Sequence, residues 1–216
     1  MRRSFFSQLI ALTAGFGLGG LPALAAPPQV LLVYGDSLSA EYGLVRGSGW
    51  VALLERRLQQ SGPEIQVVNA SVSGETTAGG RSRLSGVLAR VRPRWVLIEL
   101  GANDALRGLA LEATEHNLKA MVLAIRESGA QPVLAGMMIP PNFGASYTER
   151  FRELFGRVAK AHNVPVVPFL LAGIADDGPM KADLFQDDRI HPNAKAQSQI
   201  LDNVWAVLGP VLHPKR

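Results

Sequence analysis

Five short apolar runs, at 30–34, 65–68, 95–100, 132–138 and 164–169, alternate along the chain with segments of helical spacing. In these runs apolar residues stand at nearly every position rather than every second one. A strand of that kind must be covered on both faces, as in a parallel sheet flanked by helices. The intervening segments, at 50–58, 84–91, 111–125 and 150–162, are long enough to carry the chain back and start the next strand in the same direction. A last helical segment follows at 194–208. In the third, Leu118, Met121, Val122 and Ile125 fall on one face, the stripe expected of a helix lying on a sheet. Ser146 and Glu149 predict a capping box at the start of the fourth. The pattern therefore predicts an α/β protein: a three-layer α/β/α sandwich around a five-stranded parallel sheet. Such sheets bind ligands beyond the carboxyl ends of their strands, near the point where strand order reverses. The stretch 170–189 is acidic, carries glycines and has no clear period, and long connections of this kind are often functional.

The 216 residues suit one domain, and a hydrophobic content of 47% is ample for its core. The first 25 residues read as a removable leader. Arg2 and Arg3 form a positive start, residues 5–18 are mostly apolar, and Ala23-Leu24-Ala25 has the small-x-small pattern of a signal peptidase site. The apolar stretch is shorter than the ~20 residues of a typical membrane span. Export by the general secretory route is preferred, although Arg2-Arg3-Ser4-Phe5-Phe6 also resembles a twin-arginine start. The mature domain would be 26–216, placed in the periplasm or secreted. Gly15-Phe16-Gly17-Leu18-Gly19-Gly20 matches a dinucleotide-binding pattern, but it lies in the leader with no strand before it. There is no cysteine, which excludes thiol nucleophiles, thiolate metal sites and disulfides. The formal charge of +4 includes Arg2 and Arg3. Arg90, Arg92 and Arg94, with Arg81 and Arg83 upstream, read as a solvated helix end. No aromatic residues interleave with them as a single-strand binder would need, so no nucleic-acid partner is expected. Contact with an anionic membrane surface would be transient at most, and a monomer is expected.

Four short stretches fall at or after strand ends. They are Gly35-Asp36-Ser37-Leu38, Asn69-Ala70-Ser71-Val72-Ser73-Gly74, Gly101-Ala102-Asn103-Asp104 and Asp188-Arg189-Ile190-His191. Ester hydrolysis by serine needs a hydroxyl, a base, a group that orients the base, and donors for the oxyanion. Ser37 supplies the hydroxyl. His191 can act as the base, since imidazole titrates near neutral pH. Asp188, three residues before it, can fix its tautomer. The N–H groups of Ser37 and Gly74 and the side-chain amide of Asn103 can serve as oxyanion donors. Each stretch has a plainer reading when taken alone. Gly-Asp-Ser and Asn-Asp are ordinary turn chemistry, and Asp36 is expected to organise its turn. His116 and His162 fall on helical segments and read as structural. Asp183, Asp187 and Asp188 lack the spacing of an EF-hand loop, and no metal or organic cofactor is expected. Asn69-Ala70-Ser71 is a formal glycosylation sequon at a strand end and is discounted. It is the four stretches together, in this order, that favour catalysis.

These stretches resemble the sequence blocks of the GDSL, or SGNH, hydrolases, with Ser37, Gly74, Asn103 and His191 as the four signature residues. The resemblance continues through Val67-Val68-Asn69-Ala70-Ser71, Arg92-Pro93-Arg94-Trp95-Val96-Leu97 and Asp187-Asp188-Arg189-Ile190-His191-Pro192-Asn193. It runs over nearly the whole mature chain and is strongest to the exported bacterial esterases of that family with thioesterase and lysophospholipase activity. Glu75 stands where aspartate would be expected, and Ala102 where glycine is common. The resemblance implies a flavodoxin-like sheet and a serine esterase acting on acyl esters, acyl thioesters or lysophospholipids without a cofactor. A carbohydrate-ester deacetylase of the same fold is the alternative, and a non-catalytic periplasmic binding protein is the alternative outside enzymes. Substrate choice would come from the rim. Glu75, Pro141 and Phe143 are its candidate residues, with Met137, Met138, Ile139 and Pro140 beside them, the first three of these as readily core. The loop 75–80, with two threonines and two glycines, is expected to move as a flap over the site.

Overall fold

Leu31, Leu32, Val33 and Tyr34 are consecutive and all fully buried, so the strand that holds them is covered on both faces. The computed structural model describes residues 29–61, 65–176 and 181–213. The expected leader at 1–25 lies outside the described residues. Strand β1 (Gln29–Gly35) leads to helix α1 (Trp50–Ser61), β2 (Ile65–Asn69), α2 (Thr77–Val91) and β3 (Trp95–Glu99). A short α3 (Ala102–Leu106) and the long α4 (Leu111–Glu127) precede β4 (Gln131–Ala135). Then come α5 (Ala145–His162), β5 (Val166–Val167) and α6 (Gln197–Leu212). The five strands are parallel in the order β2-β1-β3-β4-β5. Helix α1 packs on α6, while α2 packs on α4 and α4 on α5, giving the two helical layers. This is the expected three-layer sandwich, and its order reverses between β1 and β3, where a ligand site is expected.

Several boundaries differ from the sequence expectation, each for a local reason. Strand β5 has two residues rather than six, because Pro165 and Pro168 bracket it and proline cannot donate to a ladder. Strand β4 ends at Ala135, although apolar residues continue. Met137 and Ile139 are buried in the core after the chain has left the sheet, and Met138 packs against it. Helix α2 starts at Thr77, seven residues before the expected start at Leu84, and the loop expected to be a flap is largely its first turn. Thr76 caps it by accepting from the Gly79 N–H, Thr77 is buried, and the Gly80 carbonyl accepts from the Tyr34 hydroxyl at 2.6 Å. Helix α5 begins at Ala145, straight after the 3-10 turn Pro141–Phe143, so Ser146 lies inside its first turn and the capping box does not form. Helix α6 follows a 3-10 turn at Ala194–Ala196 and continues through Pro210 to a buried Leu212.

Gly136, just past the end of β4, passes close to the backbone that follows β5. Its N–H donates to the Val167 carbonyl at 2.8 Å, and a Cβ placed there would stand 2.4 Å from the Pro168 carbonyl oxygen. Backbone cannot swing aside as a side chain can. Gly136→Ala is therefore expected to destabilise the fold by about 1–3 kcal/mol. In thermal unfolding that appears as a fall in Tm of about 2–4 °C per kcal/mol.

Candidate active site

Ser37 sits two residues past the end of β1, in a turn built by its neighbour. The Asp36 carbonyl accepts from the N–H of Ser39 and Ala40, and its Oδ1 accepts from the Leu38 N–H at 3.0 Å. That side-chain turn is the organising role expected of Asp36. Its other oxygen does more: Asn103 Nδ2 donates to Asp36 Oδ2 at 2.8 Å. One amide hydrogen of Asn103 is thereby fixed and the second is left to point elsewhere. The fully buried Trp50 anchors the far side of the turn through Nε1 to the Leu38 carbonyl, at 3.1 Å.

The stretch after β2 is laced to the same strand end. Ala70 and Val72 donate backbone bonds to Val33 and Gly35, and Ser71 Oγ accepts from the Gly35 N–H at 3.0 Å. Asn69 Nδ2 is engaged with the Ser39 carbonyl at 2.7 Å, so the sequon asparagine serves the fold. Gly74 has φ of 78°, the left-handed region that glycine enters without strain. Arg107 donates to the Gly74 carbonyl at 2.9 Å. Among the described residues, the N–H groups of Gly74 and Ser37 donate no hydrogen bond.

Asn103 lies in the first turn of α3, a helix the sequence reading did not anticipate. Its neighbour Asp104 is buried and turned towards α2, where it accepts from the Thr77 N–H at 2.8 Å and from the Thr77 hydroxyl. A carboxylate at a helix N-terminus satisfies donors that have no partner within the helix and faces the positive end of its dipole. Asp104 thus joins the loop that carries Gly74 to the one that carries Asn103.

His191 reaches the site from 154 residues along the chain: its Nε2 lies 2.9 Å from Ser37 Oγ. Its Nδ1 lies 2.6 Å from Asp188 Oδ2. Asp188 Oδ1 also accepts from the N–H of Ile190 and of His191, at 2.9 and 3.0 Å. Arg189, at φ 55°, provides the bend that brings both N–H groups onto one oxygen. Desolvation works to raise the Asp188 carboxyl, but the bonds from His191 and Ile190 outweigh it and hold the group down at about 2. At neutral pH the imidazole therefore faces a fixed negative charge. Tyr42 covers the ring, with centroids 4.4 Å apart. Backbone pairing of Gln186 with His191, and of Phe185 with Pro192, braces the loop from below.

The structure thus gathers Ser37, Gly74, Asn103, Asp188 and His191 at the carboxyl edge, between β1 and β3. Chemically, the arrangement can draw a proton from Ser37 Oγ and hold an anion with N–H donors left free for it. Glu75 instead pairs with Arg83, which lies over the Tyr34 ring at 4.2 Å. Pro141 and Phe143 stand exposed in their 3-10 turn. Tyr42, Arg107 and the second function of Asp36 were missed in the sequence. Asp36 and Asp104 lay inside the quoted motifs, but Tyr42 and Arg107 carry no signal beyond residue type.

The model of the GDSL-like lipase/acylhydrolase family matches residues 33–198, which span all four stretches. Esterase TesA of Pseudomonas aeruginosa is 46% identical over 188 residues, 87% of this chain and 91% of that protein. The thioesterase 1/protease 1/lysophospholipase L1 of Escherichia coli K12 is 39% identical over 189 residues, 88% of each chain. Among solved structures, the psychrotrophic esterase EstA of a Pseudoalteromonas species, inhibited by monoethylphosphonate, superposes with a TM-score of 0.79 at 38% identity. It covers 85% of this chain and 98% of that one. A family model that spans all four stretches and relatives that cover most of the chain decide the assignment: the chain is an esterase of the GDSL, or SGNH, hydrolase family.

Proposed function

We propose that this esterase works through an acyl-enzyme on Ser37 and takes acyl esters, acyl thioesters and lysophospholipids as substrates. The observation that carries the reading is the unbroken line Ser37 Oγ, His191 Nε2, His191 Nδ1, Asp188 Oδ2, with contacts of 2.9 and 2.6 Å, beside unengaged N–H groups on Ser37 and Gly74. Ser37 Oγ attacks the carbonyl carbon while its proton passes to His191 Nε2. The carbonyl oxygen becomes an oxyanion and is held by the Ser37 N–H, the Gly74 N–H and the free amide hydrogen of Asn103. Collapse expels the alcohol or thiol, which takes the proton from His191. Water then attacks the acyl carbon, again giving a proton to His191, and the acid leaves as the proton returns to Ser37. Asp188 stays ionised throughout and stabilises the imidazolium.

The rim supports acyl chains over sugar acetates. Among the described residues, the exposed large apolar side chains are Tyr42, Val45, Val72, Leu109, Phe143 and Ile190, together with Leu123. All except Leu123, on α4, lie in connections that leave the carboxyl ends of strands, so they crown the catalytic edge. The names of the Pseudomonas and Escherichia relatives, an esterase and a thioesterase with lysophospholipase activity, favour the same class. The Arg2-Arg3 start and Ala23-Leu24-Ala25 support export of the enzyme to the periplasm or medium.

A fluorophosphonate probe is expected to label the wild type covalently and to leave Ser37→Ala unlabelled, with esterase activity down by about 10⁴-fold or more. Asn103→Ala should keep its labelling site but lose about 10²–10³ in kcat, the typical effect of one oxyanion donor. A folded, unlabelled wild type would overturn the mechanism. In a carbon-detected NMR titration, Asp188 should remain mostly ionised at about pH 3, where an ordinary aspartate is mostly protonated. The sign follows from its lowered pKa: the stability it lends is present above the unfolded value and fades only as pH falls towards about 2. Across p-nitrophenyl esters of increasing length, Phe143→Ala should lower kcat/KM for long chains by about 10-fold while leaving acetate nearly unchanged, the loss of one buried apolar contact. An unaltered profile would remove Phe143 from the acyl site.

A further inference from the structure

Glu99, the last residue of β3, is fully buried beside Gly35 at the end of β1, and the mechanism above makes no use of it. Its Oε2 accepts from Ser39 Oγ at 2.7 Å and from the Asp36 N–H at 3.2 Å, both within the turn that carries Ser37. Its Oε1 has no partner among the described residues. Among those residues no lysine, arginine or histidine forms an ion pair with it. The carboxyl also leaves no room beside it: a Cβ on Gly35 would stand 2.5 Å from Glu99 Oε2. Ionised, Glu99 would be a buried charge without a cation and with one oxygen bare. Protonated on Oε1, it hides that oxygen, keeps both bonds at Oε2 and leaves only one hydrogen bond unmade, a far smaller penalty.

Asp36 is the other buried carboxyl of this turn, and it is better provided for as an anion. Each of its oxygens accepts from a donor, the Leu38 N–H on one side and Asn103 Nδ2 on the other. Two neighbouring buried carboxyls that cannot both ionise share a single charge, and the better-solvated site takes it.

We propose that Glu99 is a positioning residue: an uncharged carboxylic acid that braces the turn carrying Ser37 and leaves the negative charge of the pair on Asp36, which aims Asn103 at the oxyanion. The proposal rests on the reading of Ser37 and Asn103 given above. Burial, and after it the charge of Asp36 from the turn after β1, pushes the Glu99 carboxyl well above the ordinary glutamate range. Burial also raises Asp36, to about 6, against the hydrogen bonds of Leu38 and Asn103. Of the charges around Asp36, that of His191 in the last loop lowers it and that of Asp104 on α3 raises it.

The test is a pair of variants, Glu99→Gln and Glu99→Ala. Glutamine copies the neutral acid. In the unfolded chain Glu99 ionises at about pH 4.3, whereas the fold holds it protonated, so rising pH favours the unfolded wild type through this group, a contribution the glutamine variant lacks. The difference Tm(Glu99→Gln) − Tm(wild type) is therefore expected to increase steadily from about pH 4 to about pH 8. On p-nitrophenyl acetate at pH 7, Glu99→Gln should keep kcat within about threefold, while Glu99→Ala should lose about 10-fold to 10²-fold in kcat with little change in KM, the mark of lost alignment. A Tm difference that stays flat or falls with pH means a charged Glu99 and overturns the proposal. A folded Glu99→Ala enzyme as active as the wild type overturns it equally. Should the alanine variant fail to fold, the pH trend of the glutamine variant decides alone. That trend is measured without turnover, so it stands apart from any failure of Ser37 to label.

Discussion

The pairing of β1 with β3 is the constraint on which the catalytic edge depends. Its register sets Gly35 opposite Glu99, so both strands end at one level. Ser37 follows one exit by two residues and Asn103 follows the other by four. The contact between Asp36 and Asn103 is the direct outcome of that alignment. A slip of one residue would turn every side chain of β3 to the opposite face, taking Glu99 from beneath the turn and drawing Asn103 away from Asp36. The sheet prevents this by burying β3 along its whole length, from Trp95 to Glu99. Register and core are therefore one condition, and the chemistry at the edge depends on both.

The carboxyl groups of the site divide by environment. Beneath the nucleophile turn, Asp36 and Glu99 are buried and burial raises both. At the surface, Asp188 meets the same opposition from desolvation in weaker form, and the bonds from His191 and Ile190 bring it down. An acid that must stay charged beside a histidine gains from exposure and many donors. One that braces a turn gains from being neutral, since a neutral group can be enclosed without a counterion. The different depths of these groups thus belong to the proposed mechanism, and the carboxyl group serves two ends.

Much of this was legible in the chain. Fully apolar strand runs separated by helical segments imply a parallel sheet, because only such a sheet hides both faces of every strand. The residues of the proposed catalytic line were named by matching residue types to the needs of acyl transfer, and the fold brings them into contact. What stayed hidden had no local signature. Gly79 and Gly80 masked the first turn of α2, and their weak helix propensity suggested a flap where Thr76 and Asp104 secure a helix start. Apolar Met137 resembled strand, yet with Ile139 it fills the core outside the sheet. The bond from Arg107 to Gly74 and the tilted ring contact of Tyr42 with His191 arise only from tertiary proximity, which no spacing along the chain reveals. Glu99 carries no signal in the sequence beyond its residue type; only its burial shows that it need not carry a charge.

The supports of the oxyanion donors also bear on substrate range. Gly74 comes from the loop after β2 and Asn103 from α3, but Asp104 with Thr77, and Arg107 with the Gly74 carbonyl, tie the two together. Asp36 then ties Asn103 to the nucleophile turn. Donors held in this way need little rearrangement when charge develops on the substrate oxygen, which is where preorganisation lowers a barrier most. The apolar side chains around them are exposed and come from several different connections. On the proposed function, a rigid centre demands only an acyl carbonyl, and a rim drawn from several connections places no single wall against the chain or the leaving group. The proposed breadth towards alcohols and thiols follows from placing rigidity at the reacting atoms and leaving the rim to vary.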